Sequence, residues 1–532
     1  MRTKLWKFAL GAVAAAAMST GAIAQEPKSG GILTFVVASE APSYDGHVET
    51  TFGVIHPIAP FYSLLIRVNP ENPSDPTDLQ CDVCESWEVS ADGLTYTYKI
   101  PDGIVFHDGT PLTAADVAAT YNKIVFPPEG IASSYKDFYV MVNSVTAPDA
   151  HTVVFQLDYP SGAYLPAMAN PFNFIYSKKD LDEHGYTWHK ANINGTGPFM
   201  FKSMDPGASI EGVKNPNYHH KGKPYLDGFK AIIATKMSAR VQAIEGDRAS
   251  IEFRGFPPKQ RDDLVAALGD KITVQESDWN CVLIVTPNHR RAPMNDVRVR
   301  RALSLAIDRW GGSEYLSKIA IVKTVGGIVY PNHPLAATEE ELVQIAGYGK
   351  DLDANRAESR RLLEESGIDL SKTYIFNNRG VDQPYQVVGT WLVDQWKQVG
   401  LNFEQQVNPS PVFYDILRKT HEHDVSIDFN CQSVINPIAD VSFFIPGGGS
   451  NHSGVEDQGM IDMYNELSKA GTLEEQRKLM RAYEKRVLDE TASQFITLWW
   501  YKINPYRSYV KGWSIAPSHY LAQQLDQIWL DQ

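Results

Sequence analysis

The spacing of apolar positions changes period along the chain, and each change marks an element. After the pair Gly30-Gly31 the run ILTFVVASE is compact and β-branched, which predicts a strand buried on both faces. Farther on, Asp92-Gly93, Asp102-Gly103 and Asp108-Gly109 punctuate two short alternating runs, Leu94-Tyr96-Tyr98-Ile100 and Ile104-Phe106, as hairpin turns do. Thr113 with Asp116 at the third following position predicts a capped helix start. HTVVFQLDYP places Val153, Phe155 and Leu157 on one face of another strand.

The second half alternates helices with a final strand. NDVRVRRALSLAIDR has Asn295 or Asp296 as cap and Val299, Leu303 and Ala306 at helical spacing, with the intervening arginines on the solvated face. TLEEQRKLMRAYEKRVLDETA predicts an amphipathic helix with a buried stripe of Leu473, Met480, Tyr483 and Val487, capped by Thr472 and Glu475. SQFITLWWYKINPY then returns to a strand dense in aromatics. Alternation puts Trp499 and Tyr501 on one face and Trp500 on the other, so one side at most lines a pocket. Hairpins, parallel-type strands and helices together predict an α/β protein with more than one lobe.

Composition narrows the class. The chain has 532 residues, enough for roughly two to four domains with cores of their own. With 63 acidic against 49 basic side chains its net charge is -14, which repels polyphosphate backbones and excludes extended nucleic-acid binding. Arg2, Lys4 and Lys7 precede a short apolar run from Phe8 to Met18 and the small-residue ending Ala22-Ile23-Ala24, the pattern of a cleavable secretory signal at 1–24. That run is shorter than the roughly 20 residues needed to span a bilayer, and Gln25 in first mature position offers no lipid attachment, so a soluble, exported protein is expected in an oxidising compartment.

Chemistry-bearing motifs are sparse. Cys81-Asp82-Val83-Cys84 precedes a hairpin rather than a thioredoxin-type helix, which favours a local disulfide over a redox centre. His421 and His423 flank Glu422, and His219 adjoins His220; neither spacing matches a helical zinc pair, and both sets read as surface histidines. Gly447-Gly448-Gly449-Ser450 lacks the lysine of a phosphate loop and reads as a flexible loop. No G-x-S-x-G elbow is present, so a serine hydrolase has no visible nucleophile setting. No cofactor is expected.

The block CESWEVSADGLTYTYKIPDGIVFHDGTPLTAADV resembles the signature region of the bacterial family 5 extracellular solute-binding proteins, the peptide and nickel receptors of ABC importers. Further stretches follow that family in order: NGTGPFMFKSMDPG, NPNYHHKGKPYLDGF, NDVRVRRALSLAIDR, WLVDQWKQVGLNFEQQ, and the helix from Leu473 leading into the last strand. The resemblance implies a two-lobed periplasmic-binding-protein clamshell of the class II type with an inserted extra subdomain. Lobe I would comprise about 28–70, 195–283 and 500–532, the inserted subdomain about 71–194, and lobe II about 284–499. It also implies a monomeric periplasmic receptor that closes on a small organic solute and delivers it to a membrane permease. The acidic surface would complement a basic rim on that permease.

In the oligopeptide-binding members an acidic residue receives the peptide's amino group, and on this sequence that position is Ser433; Asp428 or Asp440 could substitute from nearby. Asn430 stands where those members carry a tryptophan. Arg379 matches an arginine of several receptors and suits a carboxylate. Trp499, Trp500, Tyr501, Phe52 and Tyr135 fall in segments that reach the cleft in relatives. Cys281 and Cys431 fall where relatives have a disulfide near the hinge. A peptide-like ligand or a carboxylated non-peptide such as a sugar acid, an opine or an aromatic acid is expected. Two alternatives stay open: a secreted hydrolase of peptides or sugars, and a nickel or metallophore receptor of the same fold.

Overall fold

The computed structural model describes residues 26–75, 77–431 and 436–532. The expected signal segment and Ser433 lie outside the described residues. Three sheets organise the chain. The first is four-stranded, with Ile32–Val37 parallel to Gly228–Ile233, which runs antiparallel to Ser209–Lys214, itself antiparallel to Phe199–Asp205. Ile32 is exposed, while Phe35, Val36 and Val37 are buried on both faces as their apolar run requires.

The second sheet is antiparallel throughout, in the order Ser86–Val89, Thr95–Lys99, Thr152–Leu157, Val142–Asp149. Gly93, at φ +70°, turns the first hairpin, and Val153, Phe155 and Leu157 are buried on one face. Ile104-Phe106 does not form the expected hairpin strand. Both edges of Thr95–Lys99 are already paired, and Val105 makes only a single bridge to Pro111. The helix Ala114–Val125 opens with the Thr113–Asp116 capping box.

The third sheet has six strands, ordered Val322–Thr324, Phe495–Arg507, Ile272–Pro287, Val425–Cys431, Thr373–Arg379, Asn402–Asn408. Its two longest strands pair antiparallel from Ile272↔Arg507 to Val285↔Phe495 and bulge between Asp278 and Val282. Against it Trp396 meets Phe376 edge-on and Phe403 at a tilt, and Trp396 ties the helix Val387–Lys397 to the helix Val297–Leu305 by donating to the Leu303 carbonyl at 3.1 Å.

Asp296, not Asn295, caps the helix Val297–Leu305, accepting from the Arg298 N–H, and Val299, Leu303 and Ala306 are fully buried. Arg300 departs from the solvated face expected of it. It is 6% exposed and spends its guanidinium on the carbonyls of Met294, Thr491 and Ala492. Leu473 departs in the other direction: as the first residue of the helix Leu473–Lys485 it is 55% exposed, whereas Met480, Tyr483 and Val487 are buried. His423 is fully buried rather than superficial. The loop at 447–450 is packed, since Gly449 donates to Asp137 at 2.9 Å and a Cβ there would meet the Ser133 carbonyl at 2.1 Å. Among the described residues no helix is long and apolar enough to cross a membrane.

Both cysteine pairs are joined, Cys81 to Cys84 and Cys281 to Cys431. Cys281 and Cys431 face each other in register across neighbouring strands, at a sequence separation of 150. Closing a loop that long removes about 5 kcal/mol of chain entropy from the unfolded state, against about 2 kcal/mol for the local pair. The double substitution Cys281→Ala with Cys431→Ala is therefore expected to lower the chemical-denaturation midpoint markedly more than Cys81→Ala with Cys84→Ala.

Candidate ligand-binding cleft

Thr51 ends the irregular segment that follows the first strand, and its side chain caps the helix Phe52–Ile58 by accepting from the Gly53 N–H. Arg379 is the last residue of its strand in the six-stranded sheet. These two points meet. The Arg379 guanidinium, with no measurable exposure, donates to Thr51 Oγ1 at 2.6 Å and Ser39 Oγ at 3.5 Å on one side, and to Ser410 Oγ at 2.8 Å and Tyr385 OH at 3.4 Å on the other. Every one of these acceptors is neutral. Among the described residues no carboxylate lies within ion-pair distance of it.

Aromatic faces complete the surroundings. The Arg379 guanidinium lies 5.0 Å from the Phe52 ring centre, 5.2 Å from Tyr414 and 5.5 Å from Phe429. A second buried guanidinium, Arg254, lies 4.0 Å from the Phe52 ring centre and reaches the Trp500 ring at 5.4 Å. Arg254 also crosses between the sheets, donating to the Gln383 carbonyl at 2.9 Å. Toward the rim, Arg240 pairs with Asp382 at 3.0 Å and Arg418 with Glu49 at 3.2 Å. Both ion pairs join segments far apart in sequence.

Asp428 is the nearest acid to Arg379. Burial pushes its carboxyl up to about 6, against the opposing pull of Arg379 and the hydrogen bond from Tyr414 at 3.3 Å. Behind Trp500 on the same strand face, burial depresses the Lys502 ammonium to about 7. It lies over the rings of Trp279 and Trp513 and has no hydrogen bond or ion pair among the described residues. His56 and His519 share that region, and burial together with the neighbouring cations holds both well below the ordinary histidine value, as neutral imidazoles. Trp279 donates its indole N–H to His519 Nδ1 at 3.0 Å.

Beside this cluster lies a cavity of about 30 Å³ lined by Thr50, Tyr135, Phe429, Asn430, Asp440 and Tyr520, among others. That is room for about two waters, so the halves must part before an organic solute enters. Burial holds the Asp440 carboxyl well above the usual carboxylate range, and its Oδ2 has no hydrogen-bond partner.

The structure brings Phe52, Arg379 and Trp500 into one cluster and places Tyr135 and Asn430 on the adjoining cavity. Trp499 and Tyr501 point the other way. Trp499 packs in a separate core and donates to the Gly327 carbonyl at 3.0 Å, and Tyr501 bonds Glu276 at 3.2 Å near the surface. Sequence reasoning missed Arg254, Tyr385, Tyr414, Lys502, His56 and Tyr520. Arg254 and Lys502 did carry a signal, each being a lone cation inside an apolar, aromatic-flanked strand or loop.

A family model described as bacterial extracellular solute-binding proteins, family 5 (middle region), matches residues 78–452. The chain belongs to this family. A curated relative, the probable D,D-dipeptide-binding periplasmic protein DdpA of Escherichia coli, is 30% identical over 257 residues, covering 47% of this chain and 48% of that one. Di/tripeptide-binding protein 2 of Pseudomonas aeruginosa is 27% identical over 54% of this chain and 55% of its own. The alignments span about half the length of these relatives. Among solved structures, Haemophilus influenzae OppA in complex with RPPGFSPFR superposes with a TM-score of 0.84 at 18% identity, covering 95% of this chain and 100% of that one. AgaA of Agrobacterium tumefaciens in complex with agropinic acid does so with 0.81 at 19%, covering 94% and 99%. The family 5 fold, a two-lobed binding-protein architecture, is therefore that of this chain.

Two titrations follow. Because the folded Asp428 keeps its proton up to about 6, stability is greatest below the ordinary carboxylate value and falls as pH rises through that window. Asp428→Asn should flatten the fall, measured as denaturation midpoint against pH. Lys502 acts in the opposite sense: the folded state loses its proton near 7, so the penalty is complete below that pH and fades toward the ordinary lysine value. Lys502→Met is expected to raise the midpoint more at pH 6 than at pH 9.

Proposed function

We propose that the protein is the periplasmic substrate-binding component of an ABC importer, and that it captures a small carboxylate-bearing organic solute between its lobes without altering it. The lobes and the inserted subdomain take the boundaries that the family resemblance implies. Family membership supports the class of activity: this is a family of binding proteins. DdpA and the di/tripeptide-binding protein are named for peptides, AgaA was solved with agropinic acid, and both kinds of ligand carry carboxylates.

The observation that carries the ligand class is Arg379. A guanidinium has five N–H donors in a planar fork, and here it faces hydroxyls rather than a carboxylate. Nη1 makes one long bond, to Tyr385, and so keeps a donor for a ligand. Taking that charge out of water is costly unless an anion joins it, and a ligand carboxylate would supply one. Asp440, with its unpartnered oxygen on the cavity, favours a second hydrogen-bonding group on the ligand, such as a hydroxyl.

Native mass spectrometry of freshly purified protein, followed by denaturation and identification of whatever co-purified, tests the reading directly. An intact acidic compound bound one per chain is expected; release of a cleaved product would instead support a hydrolase. With the ligand known, Arg379→Ala should weaken calorimetric affinity by about 1.5 to 3 kcal/mol, the scale of a hydrogen bond to a charged group. Unchanged affinity removes Arg379 from the site. Scattering should show compaction when the ligand is added.

A further inference from the structure

Away from the cleft, three segments of the chain converge on one carboxylate. Asp82 sits inside the Cys81–Cys84 disulfide and has no exposed side-chain surface. Its Oδ2 accepts from the Leu64 N–H at 2.7 Å. Its Oδ1 faces two imidazoles, with His220 Nε2 at 2.9 Å and His219 Nε2 at 3.4 Å. Arg67 approaches the same oxygen at 3.9 Å but is engaged by Asp526 at 3.1 Å. Two carboxylates against one guanidinium leave one negative charge in a place largely closed to water, and both nitrogens of His219 lack a hydrogen-bond partner. The side chains of His219 and His220 keep 11% and 28% exposure, which leaves a path for a small ion.

We propose that Asp82, His219 and His220 form a binding site for a late first-row divalent metal ion such as zinc, which fastens the disulfide turn around Asp82 to the segment carrying His219 and His220. The ligand atoms of all three residues lie within 4.8 Å of one another. Ligands held about 2.0–2.1 Å from one ion stand roughly 2.9–3.4 Å apart in octahedral or tetrahedral geometry, and the two Oδ1–Nε2 separations fall in that interval. Two imidazoles and a carboxylate are a donor set suited to zinc, nickel or copper rather than to magnesium or calcium. The arrangement is rigid before any ion arrives, because the disulfide fixes the backbone around Asp82 and the Leu64 amide fixes its carboxylate. Three protein ligands leave at least one position for water. None of these residues belongs to the six-stranded sheet that carries Arg379, so this ion is part of the scaffold and not the transported solute.

Chelator-stripped, untagged full-length protein titrated with zinc in a calorimeter tests the site. One ion per chain is expected, with a rise in the thermal midpoint. His220→Asn should weaken binding at least about tenfold, since even outer-shell changes at such sites cost 10- to 100-fold. His219→Ala with His220→Ala should abolish it, and His184→Ala on the exposed end of another helix should leave it unchanged. Copper loaded into the unsubstituted protein gives a check independent of folding, an electron paramagnetic resonance spectrum with splitting from two nitrogens. Absence of stoichiometric zinc binding, equal binding by the double variant, or a copper spectrum without nitrogen coupling overturns the proposal. None of these readouts depends on the solute in the cleft.

Discussion

A permanently charged guanidinium buried where two halves of the molecule meet is the constraint around which the rest is arranged. Arg379 cannot neutralise itself by losing a proton, so its five N–H groups must be met by the protein or by something the protein holds. The acceptors come from segments far apart in sequence: Ser39 and Thr51 beyond the first strand, Tyr385 and Ser410 around the six-stranded sheet. Were the proposed lobes to separate, water would replace the hydroxyls of Ser39 and Thr51. Closure is favoured to the extent that what takes the place of that water is a better partner for the charge.

The same logic explains why aromatic rings crowd the site. Phe52 is shared by two guanidinium groups, and a ring face stabilises a cation without demanding the directional geometry of a hydrogen bond. Such a surface tolerates the small displacements of hinge motion better than a set of fixed ion pairs does. The ion pairs that exist, Arg240–Asp382 and Arg418–Glu49, stand nearer the rim, where solvent lowers the cost of breaking them.

Much of the fold was legible in the sequence because periodicity and turn chemistry are local. The Thr113–Asp116 box, the Asp92-Gly93 hairpin and the stripe of Met480, Tyr483 and Val487 each stand on a few neighbouring residues. The misreadings share a cause. Ile104-Phe106 alternates as a strand does but found both edges of its neighbour occupied, and Arg300 has a polar head that satisfies backbone carbonyls from a segment almost 200 residues away. Of the buried cluster around Arg379, the family resemblance had named Arg379, Phe52 and Trp500, and strand alternation separated Trp500 from its two neighbours. Nothing local distinguishes Tyr414 or His519 from any core aromatic, because their roles exist only once distant segments meet.

The C-terminal segment reaches back to the beginning of the chain. Tyr520 donates to the Thr50 carbonyl at 2.9 Å, 470 residues earlier, and His519 bonds His56 through its carbonyl. At about 5 to 20 residues per second, a ribosome makes Thr50 roughly 25 to 90 seconds before Tyr520 exists to meet it. For all that time the pocket wall is missing one side. A nascent chain in that condition has no complete receptacle: the cavity closes only once Tyr520 has been made and can reach Thr50.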